Sequence, residues 1–331
     1  MPKNISRKDI HNSMDLRDIF EAKHRISEYI RQTSLDDSLF LSEFCGKKVS
    51  LKLENQQLTG SFKIRGALNK MLTLTQEERE RGIVAASTGN HAQGVGYAAR
   101  MLGITGLIVV PTYTPQVKRE AIKSYDIDML IHGDNYIVSE KKAREIEKKD
   151  GRTFISAYND SKIIAGQGTI GIEIMEQAPD LDTLLVPVGG GGLISGIGCA
   201  VKSINPDIEL IGVQSVASPI MFESLKKGHI VEMDLEESVA EGLHGGIEEE
   251  SITFDLCKKY VDSIVLVEEK TIVKAIGYLL VKQRQVVEGS GAVGVAAMLE
   301  NSNRFKGDNI GVLISGGNID SELLLEAIQK V

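Results

Sequence analysis

Lys63 stands where a lysine is chemically most altered by its neighbours, within Thr59-Gly-Ser-Phe-Lys-Ile-Arg-Gly66 and between the apolar side chains Phe62 and Ile64. It sits one or two residues inside a helix signalled by Ile64, Ala67, Leu68, Met71 and Leu72, which follow the i, i+3, i+4, i+7, i+8 spacing of one face. A cation in a first helical turn opposes the helix dipole, and apolar flanks disfavour charge. Both effects favour the neutral amine, the form that attacks an aldehyde to make a Schiff base. Taken alone, Lys63 also fits a solvated lysine beside Arg65. The company it keeps has to separate the two readings.

The second group with chemical potential has no side chains at all. The apolar run 184–188 leads straight into Gly189, Gly190, Gly191 and Gly192, and Leu193 opens a helix. Successive bare N–H groups can approach an anion closely there, and the helix start adds unsatisfied donors and partial positive charge. A phosphate can rest on such a turn without lysine or arginine. A tight βα turn with close helix packing is the alternative, and nucleotide binding a third. The nucleotide reading is weakened because the next strand ends in Gln214 and Ser215 rather than an acid, and no GxxxxGK[ST] occurs.

Two further strand ends carry polar groups. Ser87-Thr-Gly-Asn-His91 precedes a helix containing Ala92, Val95, Ala98 and Ala99, and its backbone amides could hold a carboxylate. Ser315-Gly-Gly-Asn318 follows the apolar run 310–314. Ser315 alone reads as a turn residue. Strand ends of open parallel sheets converge on one crevice, however, so three such ends can face one ligand.

The elements that must position these groups show the βα rhythm of a parallel sheet from about residue 50 onward. Strand candidates are 83–87, 107–111, 129–132, 154–157, 184–188, 210–213, 264–267 and 310–314, each short enough to be buried. A helix with Thr114 as N-cap and Pro115 at its first position is expected to run to about Tyr125. There is no internal repeat, low-complexity tract or long linker. Eight strands are many for one sheet, so residues 55–159 are expected to form a smaller inserted domain, with 1–54 and 160–331 forming the larger one.

Composition removes several function classes. A hydrophobic content of 42% with 25% charged residues is that of a globular chain able to bury a sizeable core. No stretch approaches the ~20 apolar residues of a membrane span. With 38 basic against 46 acidic residues the net charge is −8, which repels a nucleic-acid backbone. Cys45, Cys199 and Cys257 are far apart, without a CxxC pair, and are expected as reduced thiols. The stretch 1–18 carries Lys3, Arg7, Lys8, Asp9 and Asp15 without an apolar signal run, and reads as a cytoplasmic N-terminus.

Taken together, Ser61-Phe-Lys-Ile-Arg-Gly-Ala67, Ser87-Thr-Gly-Asn-His-Ala-Gln-Gly94, the four glycines and Ser315-Gly-Gly-Asn318 resemble the fold-type II pyridoxal-phosphate enzymes. The threonine/serine dehydratase and serine racemase branch is the most similar. Further matching blocks are Thr114-Pro-Gln-Val-Lys118, Ala165-Gly-Gln-Gly-Thr-Ile-Gly171 and Val287-Glu-Gly-Ser-Gly-Ala-Val-Gly294. The resemblance implies an α/β fold like the tryptophan synthase β subunit, with two open parallel-sheet αβα domains and the active site in the cleft between them.

It also implies a role for each matched residue. Lys63 would carry pyridoxal 5'-phosphate as a Schiff base and remove the substrate Cα proton, and Phe62 would pack on the ring. Asn90 would hydrogen-bond the ring's phenolic oxygen. Gly189, Gly190, Gly191, Gly192 and Leu193 would hold the phosphate. Ser315 would face the pyridine nitrogen, and Ser87, Thr88, Gly89 and His91 would bind substrate.

A neutral hydroxyl at Ser315 stabilises an unprotonated pyridine, a weaker electron sink that favours β-elimination over transamination. The implied activity is a lyase of amino-acid metabolism, a threonine or serine ammonia-lyase releasing a 2-keto acid and ammonia. The implied assembly is a homodimer or homotetramer. Serine racemisation, for which Thr88 matches the serine that serves the racemases as the opposite acid/base, or dehydration of another β-hydroxy amino acid is the second expectation. A third, from a different class, is a catalytically silent sensor that binds the cofactor. The loop Gln214-Ser-Val-Ala-Ser-Pro-Ile220 lacks the carboxylates that ligate a divalent cation in the racemases, so no metal is expected.

Overall fold

The structure, a computed structural model, describes residues 14–331. Most of the charged stretch 1–18, on which the cytoplasmic reading rests, lies outside them. Among the described residues ten strands form two sheets: β1 (Leu35–Asp37), β2 (Lys48–Leu53), β3 (Ile83–Ala86), β4 (Gly106–Val110), β5 (Asp128–Ile131), β6 (Thr153–Phe154), β7 (Thr183–Pro187), β8 (Glu209–Ser215), β9 (Ser263–Val267) and β10 (Asn309–Ile314). The larger sheet has the order β1-β2-β10-β7-β8-β9 and the smaller the order β5-β4-β3-β6. Every pairing is parallel except that of β1 with β2.

All eight apolar runs read as strands are strands. β3 and β7 are buried at every residue, as continuous apolar runs covered on both faces must be. β6 ends at Phe154, short of the expected 157, although Ile155 still donates its N–H to the Val84 carbonyl at 2.9 Å. β1 and β2 were not expected. Charged residues interrupt both, and Lys52 in β2 is nonetheless fully buried. β1 also makes the larger sheet mixed where a purely parallel one was expected.

The N-cap reading at Thr114 is corrected. The helix is Gln116–Lys123 with Pro115 at the cap position. The Thr114 hydroxyl instead donates to the Pro111 carbonyl at 2.7 Å, closing the turn before the helix. Among the described residues no helix is long and apolar enough to cross a membrane.

Three helices fix the lysine-bearing segment. The stripe of helix Lys63–Leu72 is buried from Ile64 to Met71. It packs on helix Ser161–Gln177, itself packed on helix Gly192–Ile204. Glycines allow the approach: a Cβ on Gly166 would lie 2.6 Å from the Arg65 carbonyl oxygen, and one on Gly168 would lie 2.8 Å from that of Gly196.

Beneath this contact runs a buried charge network. Arg65 grips Glu54 with two bonds of 2.7 Å and Glu173 with bonds of 2.6 and 3.0 Å. Lys52 completes it, donating to Glu173 at 2.6 Å, to the Thr33 carbonyl at 2.7 Å and to Gln177 at 3.0 Å. Two cations face two carboxylates, so no charge is left uncompensated. The network ties β2, the turn after it, the lysine helix and helix Ser161–Gln177 into one body.

Candidate active site

Lys63 is the first residue of its helix. Its Nζ donates to the Ala157 carbonyl at 2.8 Å, just beyond β6, and lies 5.2 Å from the centre of the Phe62 ring. Burial lowers the amine pKa to about 8, outweighing the opposite pull of the Glu288 carboxylate. The approach to Lys63 is stitched to the end of β10. Phe62 donates its N–H to the Ser315 carbonyl at 3.1 Å, and Ser61 forms an antiparallel bridge with Gly316. Phe62 packs, partly buried, against the cluster that contains Val188 and Leu193.

The four glycines follow β7. Gly191 has φ +87°, a left-handed conformation that a side chain resists. A Cβ on Gly190 would meet the Tyr158 ring at 2.7 Å, and the Gly190 carbonyl accepts from the Thr253 hydroxyl at 2.6 Å. Helix Gly192–Ile204 starts here, so its first-turn N–H groups have no acceptor within the helix. Gly189 and Gly190 remain partly accessible, whereas Gly191, Gly192 and Leu193 are buried.

Asn90 is the first residue of helix Asn90–Leu102, which follows β3. Its amide donates to Glu288 at 2.6 Å and accepts from Asn318 at 2.7 Å. Ser87, Thr88 and Gly89 are partly accessible, and the Ser87 hydroxyl accepts from the Gly89 N–H at 3.3 Å. The Ser315 hydroxyl is buried and donates to the Ser290 carbonyl over a long 3.4 Å.

His91 lies differently from the other expected substrate contacts. Its ring is buried, with Nε2 2.9 Å from the Ile155 carbonyl oxygen. Burial, together with the nearby Lys63, lowers its pKa to about 3, so the ring stays neutral and donates to that carbonyl. His91 therefore braces the end of β6 rather than offering an open donor.

The structure thus places Asn90, the four glycines and Ser315 just past the carboxyl ends of β3, β7 and β10, with Lys63 tied to Ser315 through Phe62. Sequence reasoning gave no role to Glu288, Asn318, Tyr158 or the Ala157 carbonyl. Glu288 and Asn318 stood inside quoted blocks, and an acid just before the small-residue run 289–297 was the available signal. Burial raises the Glu288 pKa to about 7, although its hydrogen bond from Asn90 pulls the other way.

The loop after β8 is engaged with itself. Gln214 accepts from the Phe222 N–H at 2.8 Å and donates to the Ser218 carbonyl at 3.3 Å, and Ser215 donates to Glu269. Among the described residues no three His, Cys, Asp or Glu side chains gather as metal ligands. Cys45, Cys199 and Cys257 are free thiols.

Pyridoxal phosphate demands an uncharged amine, an anion cradle, a donor for its phenolic oxygen and a partner for its ring nitrogen. The donor set fits: a desolvated Lys63, the bare turn at 189–192 with its helix start, the Asn90 amide and the Ser315 hydroxyl.

Residues 26–316 match the family of pyridoxal-phosphate dependent enzymes, and the chain belongs to that family. Among its relatives, the L-threonine ammonia-lyase of Thermotoga maritima is 45% identical over 315 residues, covering 95% of this chain and 78% of that one. The catabolic L-threonine dehydratase of Staphylococcus aureus is 43% identical over 311 residues, 93% of this chain and 90% of the other. Maize serine racemase superposes with a TM-score of 0.90 at 33% identity, over 96% of this chain and 97% of that one. Threonine deaminase isoform 2 of Solanum lycopersicum gives 0.88 at 34% identity, over 97% and 95%.

Proposed function

We propose that this chain is a threonine or serine ammonia-lyase, converting L-threonine or L-serine to a 2-keto acid and ammonia. The observation that carries the reading is the Lys63 amine, desolvated and held 2.8 Å from the carbonyl of Ala157, whose neighbour Tyr158 lies against the side-chain-free turn at Gly190 and Gly192. Bound to Lys63, pyridoxal phosphate supplies the electron-withdrawing ring that acidifies the Cα hydrogen of an amino acid.

The chain's own groups do the rest. The backbone at Ser87, Thr88 and Gly89, beside the start of helix Asn90–Leu102, suits a substrate carboxylate. The neutral Lys63 amine accepts the Cα proton at Nζ. Loss of the β-hydroxyl as water then leaves an enamine, aminocrotonate from threonine or aminoacrylate from serine, whose tautomer hydrolyses to keto acid and ammonia. Apolar walls from Phe62 and Leu193 keep the site dry. The relatives named for threonine support this reading over the alternatives.

Serine racemisation is the second reading, favoured by the partly accessible Thr88. The division into a unit at 55–159 within a larger one is proposed on the separate sheet formed by β3 to β6. A homo-oligomer is proposed because Leu39, Phe44, Val281 and Leu325 expose apolar surface.

The test is to load purified protein with pyridoxal phosphate and follow keto acid, ammonia and enantiomer ratio from L-threonine, L-serine and D-serine. Keto acid from an L-substrate supports the lyase. Interconversion of the serines without keto acid supports the racemase, and cofactor colour with neither product supports a silent binder.

A further inference from the structure

Glu288 stands at the cap of helix Gly289–Asn301 with no hydrogen bond from its carboxyl to that helix. The carboxyl turns instead toward the site and accepts from Asn90 Nδ2 at 2.6 Å. Its backbone is pinned, since its N–H donates to the Gly316 carbonyl at 3.2 Å. Gly316 also makes room for it: a Cβ there would lie 2.4 Å from Glu288 Oε1.

The direction of the Asn90 amide follows from its two partners. Asn318 Nδ2 donates both to the Thr59 carbonyl at 2.9 Å and to Asn90 Oδ1 at 2.7 Å. An amide nitrogen only donates, so the Asn90 oxygen must face Asn318 and its NH2 must face Glu288. Glu288 takes one of the two hydrogens, which leaves the second free. Without the carboxylate, only the single bond from Asn318 to Asn90 Oδ1 would hold the amide, and its NH2 would have no fixed acceptor.

The same carboxylate is the negative charge that acts on the Lys63 amine. The other charges facing Glu288 are Glu241, which disfavours its ionisation, and Lys118, which favours it; these two are themselves paired across the site.

Resting on the cofactor reading above, we propose that Glu288 is a positioning residue that aims the free N–H of Asn90 at the cofactor's phenolic oxygen.

The test uses the full-length chain with Glu288→Gln, which keeps an oxygen acceptor but removes the charge, and Glu288→Ala, which removes both. The readout is the dissociation constant for pyridoxal phosphate, which weakens about tenfold in Glu288→Ala and is largely rescued in Glu288→Gln.

A Glu288→Ala protein that binds cofactor as the parent does, or a Glu288→Gln protein no better than Glu288→Ala, overturns the proposal. A parent protein that takes up no cofactor sinks the functional reading instead.

Discussion

Phe62 gives its backbone N–H to the carbonyl of Ser315 at 3.1 Å, so the residue before the lysine and the residue that follows β10 move as one. They are 253 positions apart in the chain (315 − 62), yet this bond fixes the lysine-bearing turn against the larger sheet. The expectations below follow from that anchoring and from the charges around it.

Lys63→Ala is expected to abolish cofactor-dependent absorbance and to lower keto acid formation from L-threonine by at least about a thousandfold, since proton transfer by a placed base is lost with the attachment point. Absorbance spectra and a coupled keto acid assay read both. Activity within tenfold of the parent would remove Lys63 from the chemistry.

The glycine turn should separate affinity from folding. Gly191→Ala places a side chain at φ +87° and is expected to cost about 1–2 kcal/mol of stability. Gly190→Ala pushes a Cβ to within 2.7 Å of the Tyr158 ring and should weaken pyridoxal phosphate binding more than it lowers the urea midpoint. Fluorescence titration with cofactor, beside urea unfolding, makes the comparison.

Arg65→Ala strands Glu54 in a dry interior, leaves Glu173 to Lys52 alone, and is expected to destabilise the fold by about 3–5 kcal/mol, as removal of one partner from a buried pair does. Arg65→Lys should lose less but still be clearly weaker, because one ammonium cannot serve both carboxylates two bonds at a time. Urea midpoints rank the three proteins. Parent-like stability of Arg65→Ala would mean the network contributes nothing.

The depressed Lys63 pKa has a definite stability signature in cofactor-free protein. The unfolded chain binds the proton up to about pH 10.5 and the folded chain only up to about 8, so folding releases it between those values. Below pH 8 the folded state bears the cost of a poorly solvated charge, and above 10.5 both states are neutral. Lys63→Met should therefore be more stable than the parent at pH 7, by a margin that shrinks as pH rises from 8 to 10.5. Denaturation at a series of pH values checks the direction, and a margin that grows instead would place the amine in water.

Thr88→Ser restores the hydroxyl of the racemase pattern without the methyl group. Its expected effect is a higher ratio of D-serine formation to keto acid release, read by chiral chromatography, with cofactor binding unchanged. An unchanged ratio would deny Thr88 an acid/base part on its face.

What the residues alone determined was mostly local. Parallel strands covered on both faces are unbroken apolar runs, so eight strands and the helix stripe at Ile64 to Met71 could be read directly, and Lys63, Asn90, 189–192 and Ser315 stood out as groups at helix starts and strand ends.

Where a charge lies inside the protein was decided only by the tertiary structure. Lys52 interrupts its run as a surface lysine would, and it is buried because Glu173 waits 121 residues away; Arg65 depends on the same partner, and Glu288 on Asn90, 198 residues distant. His91 turned inward for a like reason, its ring claimed by the carbonyl of Ile155. A polar side chain leaves water only where a partner satisfies it. Such partners arrive through the folding of remote segments, which no local pattern records.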